Sequence, residues 1–162
     1  METIPAPSSE RLAEAPGGCP GPEPRSQTVA DFVGPVVGGP PLWTGVYATY
    51  DAASNSYSAP DAPLTEDGWQ IKILYLIGPG QDGIIELVGA GVEDTAGSVT
   101  FAVGGVSPTT VAMFDPNAPA IPVTHEGWRE YPSYTYFPSA GCYLLTATWT
   151  DGTSRLGFGF GR

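Results

Sequence analysis

The run WQIKILYLI, residues 69–77, alternates with a period of two. Trp69, Ile71, Ile73, Tyr75 and Ile77 fall on one face, and Gln70, Lys72, Leu74 and Leu76 on the other. Successive strand side chains point to opposite faces, so this is a β-strand with one wholly core-facing side. Its second side starts polar and turns apolar, which predicts a central strand covered on both faces at its far end. Similar short apolar runs recur at TVADFV (28–33), LWTGVYATY (42–50), IIELVGAGV (84–92), SVTFAV (98–103), TTVAMF (109–114), CYLLTATWT (142–150) and SRLGFGF (154–160). Between them lie PGQDG, EDTAG, GGVSP and DPNAPAIP, all rich in turn formers. Eight strands with Gly and Pro punctuation predict an all-β sandwich of two packed antiparallel sheets spanning 28–162.

Two regions depart from this rhythm. Residues 1–27 form an extended leader in which Pro5, Pro7, Pro16, Pro20, Pro22 and Pro24 recur. Residues 115–141, DPNAPAIPVTHEGWREYPSYTYFPSAG, read as an irregular segment whose prolines forbid a central strand and whose aromatics lie flat on a sheet. The last two strands form a hairpin. With Asp151-Gly152 as a two-residue turn, Thr150 faces Thr153 and Leu145 faces Phe158. Tyr143, Leu145 and Ala147 then share the core face, and Cys142, Leu144, Thr146 and Thr148 the outer one.

Composition narrows the class further. The 22 Gly and 18 Pro disfavour long helices, while abundant aromatics argue against disorder. A net charge of -11, with one lysine among six basic residues, excludes a nucleic-acid partner, because phosphate binding rests on clustered cations. No run approaches the roughly 18 apolar residues of a membrane-spanning helix. The leader lacks the basic and apolar regions of a signal peptide and reads as the mature start that a cleaved signal leaves behind.

The two cysteines bear on location. Cys142 faces away from the core, so a core strand cannot reach it, whereas the leader can bring Cys19 alongside. A Cys19–Cys142 disulfide would close a long loop and contribute about 4 to 5 kcal/mol by chain entropy. It also implies an oxidising, extracytoplasmic compartment. Free buried thiols and a reactive cysteine are the competing readings, and two cysteines with one histidine match no zinc spacing.

Cys19-Pro20, LWTGVY (42–47) and YFPSAGCYLLTATWTDGTSRLGFGFG (136–161) occur in that order. In this the chain resembles small secreted or lipid-anchored bacterial proteins of unknown function, which carry a C-terminal P-x-x-G-C-[WY] strand and an early cysteine. The resemblance covers most of 19–162 and implies an extracytoplasmic immunoglobulin-like sandwich with a linking disulfide. It supplies no catalytic residues.

Chemistry-bearing motifs are sparse. His125, beside Glu126 and near Glu130, has no nucleophile tied to it and reads as a loop histidine. The pairs Glu66-Asp67 and Glu93-Asp94 fall in turns, where acids solvate the chain. DPN (115–117) beside DAASN (51–55) is a thin calcium pattern. No cofactor or metal is called for. The cluster WREYPSYTYF (128–137) stands out, since not all its rings can be inward. Trp128, Tyr131, Tyr134 and Tyr136 are therefore the candidate binding residues. The expectation is a non-enzymatic envelope module that binds a protein or itself, with a carbohydrate-binding module as the alternative and a hydrolase third.

Overall fold

The computed structural model describes residues 19, 25–29, 32–51, 56–92, 94–118 and 127–161. Its strands are β1 (Arg25–Val29), β2 (Phe32–Gly39), β3 (Leu42–Val46), β4 (Thr49–Asp51), β5 (Ser56–Ser58), β6 (Leu64–Thr65) and β7 (Gly68–Ile77). They continue as β8 (Ile85–Gly91), β9 (Thr100–Val103), β10 (Ala112–Phe114), β11 (Arg129–Phe137), β12 (Gly141–Trp149) and β13 (Gly152–Phe160). Two sheets pack face to face, as the sequence led one to expect. Sheet A runs β1-β2-β3-β7-β11-β9, with β6 beside β7; sheet B runs β10-β8-β12-β13-β5-β4. All pairings are antiparallel except the short contact of β13 with β5.

The inner faces supply one core. Ile71, Ile73, Tyr75 and Ile77 of β7 meet Tyr143, Leu145 and Ala147 of β12 and Phe158 and Phe160 of β13. An aromatic stack ties the two layers together: Phe137 of β11 lies 5.0 Å from Phe158 and 5.2 Å from Phe160, nearly parallel to both. Tyr57 stacks on Phe158 at 4.5 Å. Tyr75 and Thr135 share a buried hydroxyl hydrogen bond of 2.8 Å, which satisfies two polar groups that would otherwise cost stability. Burial pushes the Tyr75 phenol up, and the Thr135 bond opposes it in part.

The strand boundaries depart from the sequence reading in instructive ways. TVADFV is not one strand but spans parts of the β1–β2 hairpin, whose first strand already begins at Arg25. LWTGVYATY breaks after Val46, where the chain leaves sheet A and enters sheet B at Thr49. The segment thought irregular contains β11, which lies between β7 and β9 despite Pro132. The proline is tolerated because its backbone faces the β9 side, where β9 stops at Val103. There its carbonyl accepts a 3.0 Å bond from the Gly104 N–H and no donor is required of it.

The terminal hairpin also closes differently. Thr153 pairs with Thr148, and Leu145 with Leu156, so the turn is Thr150-Asp151 and Gly152 is already in the strand. The displacement is two residues. Because the side-chain period is also two, every side chain keeps its face. Gly152 has a packing role here: a Cβ on it would meet the Trp149 indole at 2.8 Å.

Cys19 and Cys142 are joined, with Cα atoms 5.3 Å apart and both residues buried. Cys142 lies on the outer side of sheet B, as the alternation of β12 required, and its N–H donates to Thr95 Oγ1 at 3.0 Å. The rest of the proline-rich leader up to residue 24 lies outside the described residues. No helix among the described residues is long and apolar enough to cross a membrane.

Candidate functional site

The outer face of sheet A is built on the second side of β7. Register places its neighbours. Gln70 pairs with Tyr136 of β11, Lys72 with Tyr134, Leu74 with Pro132, and Leu76 with Glu130. On the other flank β3 sets Gly45 beside Leu74 and Trp43 beside Leu76. Just past the end of β3, the Tyr47 N–H donates to the Lys72 carbonyl at 3.2 Å. Across β11, Tyr134 is opposite Ala102 and Tyr136 opposite Thr100. Each pair shares a face, so four strand segments contribute to one surface.

That surface has two halves. At the far end of β7, Leu74, Leu76 and Val36 are buried beneath Trp43 and Trp128, as the apolar turn in the strand's second face predicted. The two indoles meet edge to face at 4.8 Å. Gly78 makes the close fit possible, for a Cβ there would lie 2.8 Å from the Trp43 ring. At the near end, Lys72 is exposed between Tyr47, 48% exposed, and Tyr134, 45% exposed. The Lys72 ammonium lies 4.8 Å from the centroid of the Tyr47 ring. This cation–π contact holds the ring with one face engaged.

Tyr136 adjoins this strip but is mostly covered. Burial pushes its phenol up, with the nearby Asp67 carboxylate and then Tyr134 adding to the shift. Beside the strip a groove of about 480 Å³ opens, walled by Tyr47, Gln70 and Lys72 on one side and by Ser58, Pro60 and Asp61 on the other.

The four aromatics singled out in the sequence thus separate. Tyr134 and Tyr136 stand side by side on the outer face, while Trp128 belongs to the covered half. Tyr131 drops out of the surface set. It points into the core, its ring 5.0 Å from Phe114 and its buried hydroxyl without a hydrogen-bond partner. The reason is the strand character of β11: once 129–137 alternates, Tyr131, Ser133, Thr135 and Phe137 turn inward and Pro132, Tyr134 and Tyr136 outward. Tyr47 and Lys72 were not anticipated at all. The alternation of 69–77 placed Lys72 beside Gln70, but only strand pairing could bring in Tyr47.

Other sequence candidates carry less. His125, Glu126 and Glu93 lie outside the described residues, and Glu130 sits opposite Leu76. Asp115 accepts the Asn117 N–H at 2.9 Å in a turn, and the Asp67 N–H donates to Thr65 Oγ1 at 3.1 Å in the β6–β7 turn. Among the described residues, no three His, Cys, Asp or Glu side chains gather as metal ligands. A second surface lies on the outer side of sheet B, where exposed Val88 and Val111 line a trough with Leu144 and Thr146, and Met113 is exposed on β10. No family model, curated protein or solved structure matches the chain.

Proposed function

We propose that this protein is a non-enzymatic, extracytoplasmic module of the bacterial envelope that binds its partner through the near half of the outer face of sheet A. One observation carries the reading. Among the described residues, the aromatic rings left exposed are Tyr47 and Tyr134, and the fold sets them on either side of Lys72, the single lysine of the chain. Tyrosine suits such a site because its ring supplies contact area while its hydroxyl tolerates water. A flat, twisted sheet presents these groups on a rigid base, so little ordering entropy is lost on binding. The buried Cys19–Cys142 disulfide supports an oxidising location, since such bonds persist outside the cytoplasm. The resemblance to secreted and lipid-anchored bacterial proteins points the same way.

Co-sedimentation with isolated bacterial envelopes tests this. Wild-type protein is expected to pellet with them, and the Tyr47→Ser/Tyr134→Ser double variant to stay in the supernatant with its fold intact. Failure of the wild type to pellet, or equal pelleting by the variant, overturns the assignment of the face.

A second reading, assembly with a protein or with itself, draws on the outer side of sheet B. Val88, Val111 and Met113 there are exposed apolar residues on and beside the edge strand β10. Sedimentation velocity over a wide concentration range decides it: self-association that Met113→Glu abolishes supports this reading, and a monomer at all concentrations rules out self-assembly.

A further inference from the structure

We infer that the ligand of the tyrosine–lysine strip is a glycan that is neutral or sparsely anionic, its sugar rings laid on Tyr47 and Tyr134 and its polar groups taken by Lys72 and Gln70. The inference rests on the binding face proposed above and names what that face takes. Tyr47 and Tyr134 flank β7 from opposite sides, two strand spacings apart, or roughly 10 Å. That span suits one short saccharide segment crossing the strands. A sugar ring has an apolar C–H face and a rim of hydroxyls, so it needs an aromatic surface with hydrogen-bonding groups around it. The strip has this composition. Between and beside the two rings stand Lys72 and Gln70, and the adjoining groove adds Thr49, Ser58 and Asp61.

A protein partner would be met differently. Protein interfaces concentrate their energy in a desolvated apolar centre, with polar groups at the rim. Here the centre is the exposed ammonium of Lys72, and the apolar residues of the same face are sealed under Trp43 and Trp128 at its other end. Shape agrees with this. Ala102, opposite Tyr134, is too short to cover that ring, which leaves it open toward the β9 edge. Charge sets the limit on the ligand. With a net charge of -11 the protein repels a densely anionic polymer, and the one lysine can pair with only an occasional carboxylate.

The experiment uses the full chain. Native affinity electrophoresis is run in gels containing hydroxyethylcellulose, glycol chitin or xylan, with pull-downs on insoluble cellulose, chitin and peptidoglycan. Retention by at least one matrix is expected. Tyr134→Ala alone should weaken it about tenfold, the loss of one stacked ring. Tyr47→Ser/Tyr134→Ser should abolish it, while Trp128→Phe should leave it unchanged. Thermal melts of each variant confirm that the fold is kept, as both rings are about half exposed.

No retention on any matrix, or retention that the tyrosine variants do not alter, overturns the glycan. The two proposals can fail separately. Tyrosine-dependent pelleting that protease treatment of the envelopes abolishes, and periodate oxidation of their sugars does not, keeps the binding face and replaces the glycan by a protein. The reverse pattern upholds the glycan.

Discussion

The two ends of one strand face give the clearest contrast in the molecule. Leu74 and Leu76 project from β7 on the same side as Gln70 and Lys72, yet the first two are buried and Lys72 is exposed. What differs is the neighbours. β3 and the residue just before β11 place Trp43 and Trp128 over the leucines, whereas the residues flanking Lys72 are tyrosines at the sheet surface. One half has become a small second core. The other half is left as a rigid, half-apolar surface with a cation at its centre. A sheet face is therefore open or covered according to the rings its neighbours lay across it.

Several measurements can break or sharpen that contrast. The largest loss should come from Cys19→Ser/Cys142→Ser, which opens a loop of 123 residues and is expected to cost about 5 kcal/mol in chemical denaturation. It acts through sheet B, so binding by the folded fraction should persist. Selective loss of binding would mean that the disulfide shapes the sheet A face. Next, Leu76→Ala in the covered half should cost about 2 to 5 kcal/mol, and Lys72→Ala in the open half no more than about 0.5 kcal/mol. Equal costs for the two would erase the distinction.

Alkali tests the floor beneath both halves. Burial raises the phenols of Tyr57, Tyr75 and Tyr131 above their unfolded value of about 10. The folded state therefore keeps protons that the unfolded chain gives up. Their contribution to stability is fully present below about pH 10 and is lost as pH rises toward the folded values. Urea midpoints from pH 8 to 11 should be flat at first and then fall; a rise across that range would contradict the burial of these rings.

A smaller effect is expected from Gly78→Ala, which forces a methyl against the Trp43 indole and should cost about 1 to 3 kcal/mol. The accompanying change in tryptophan fluorescence should report the displaced ring. An equally small effect on stability belongs to Tyr134→Ala, within about 0.5 kcal/mol, although it should weaken binding about tenfold. That inversion between stability and binding is the sharpest form of the contrast.

Much of the architecture could be read from the residues. The period of two in 69–77 marked a core strand and foresaw its covered end. The alternation of 142–150 put Cys142 outside, which made the leader its only reachable partner. These readings succeed because they depend on local geometry: side chains along a strand alternate whatever lies beside it. Residues 129–137 show where that approach stops. Proline argued against a strand, and only the ending of β9 at Val103 reveals that this one needs no donor. With the strand unrecognised, Tyr131 could not be assigned to the core or Tyr134 to the surface.

Pairing is the other thing the local pattern leaves open. The hairpin register differed by two residues without moving any side chain to the other face, so no alternation rule could tell the two alignments apart. Tyr47 and Tyr134 stand 87 positions apart in the chain, and nothing near either residue refers to the other. Along the strands it marked, the sequence alone determined which residues face inward, and it showed which sulfur could reach which. Only the tertiary structure decided which strands lie side by side, because pairing is a contest among all strands for the same core. From that contest come the two tyrosines on either side of one lysine.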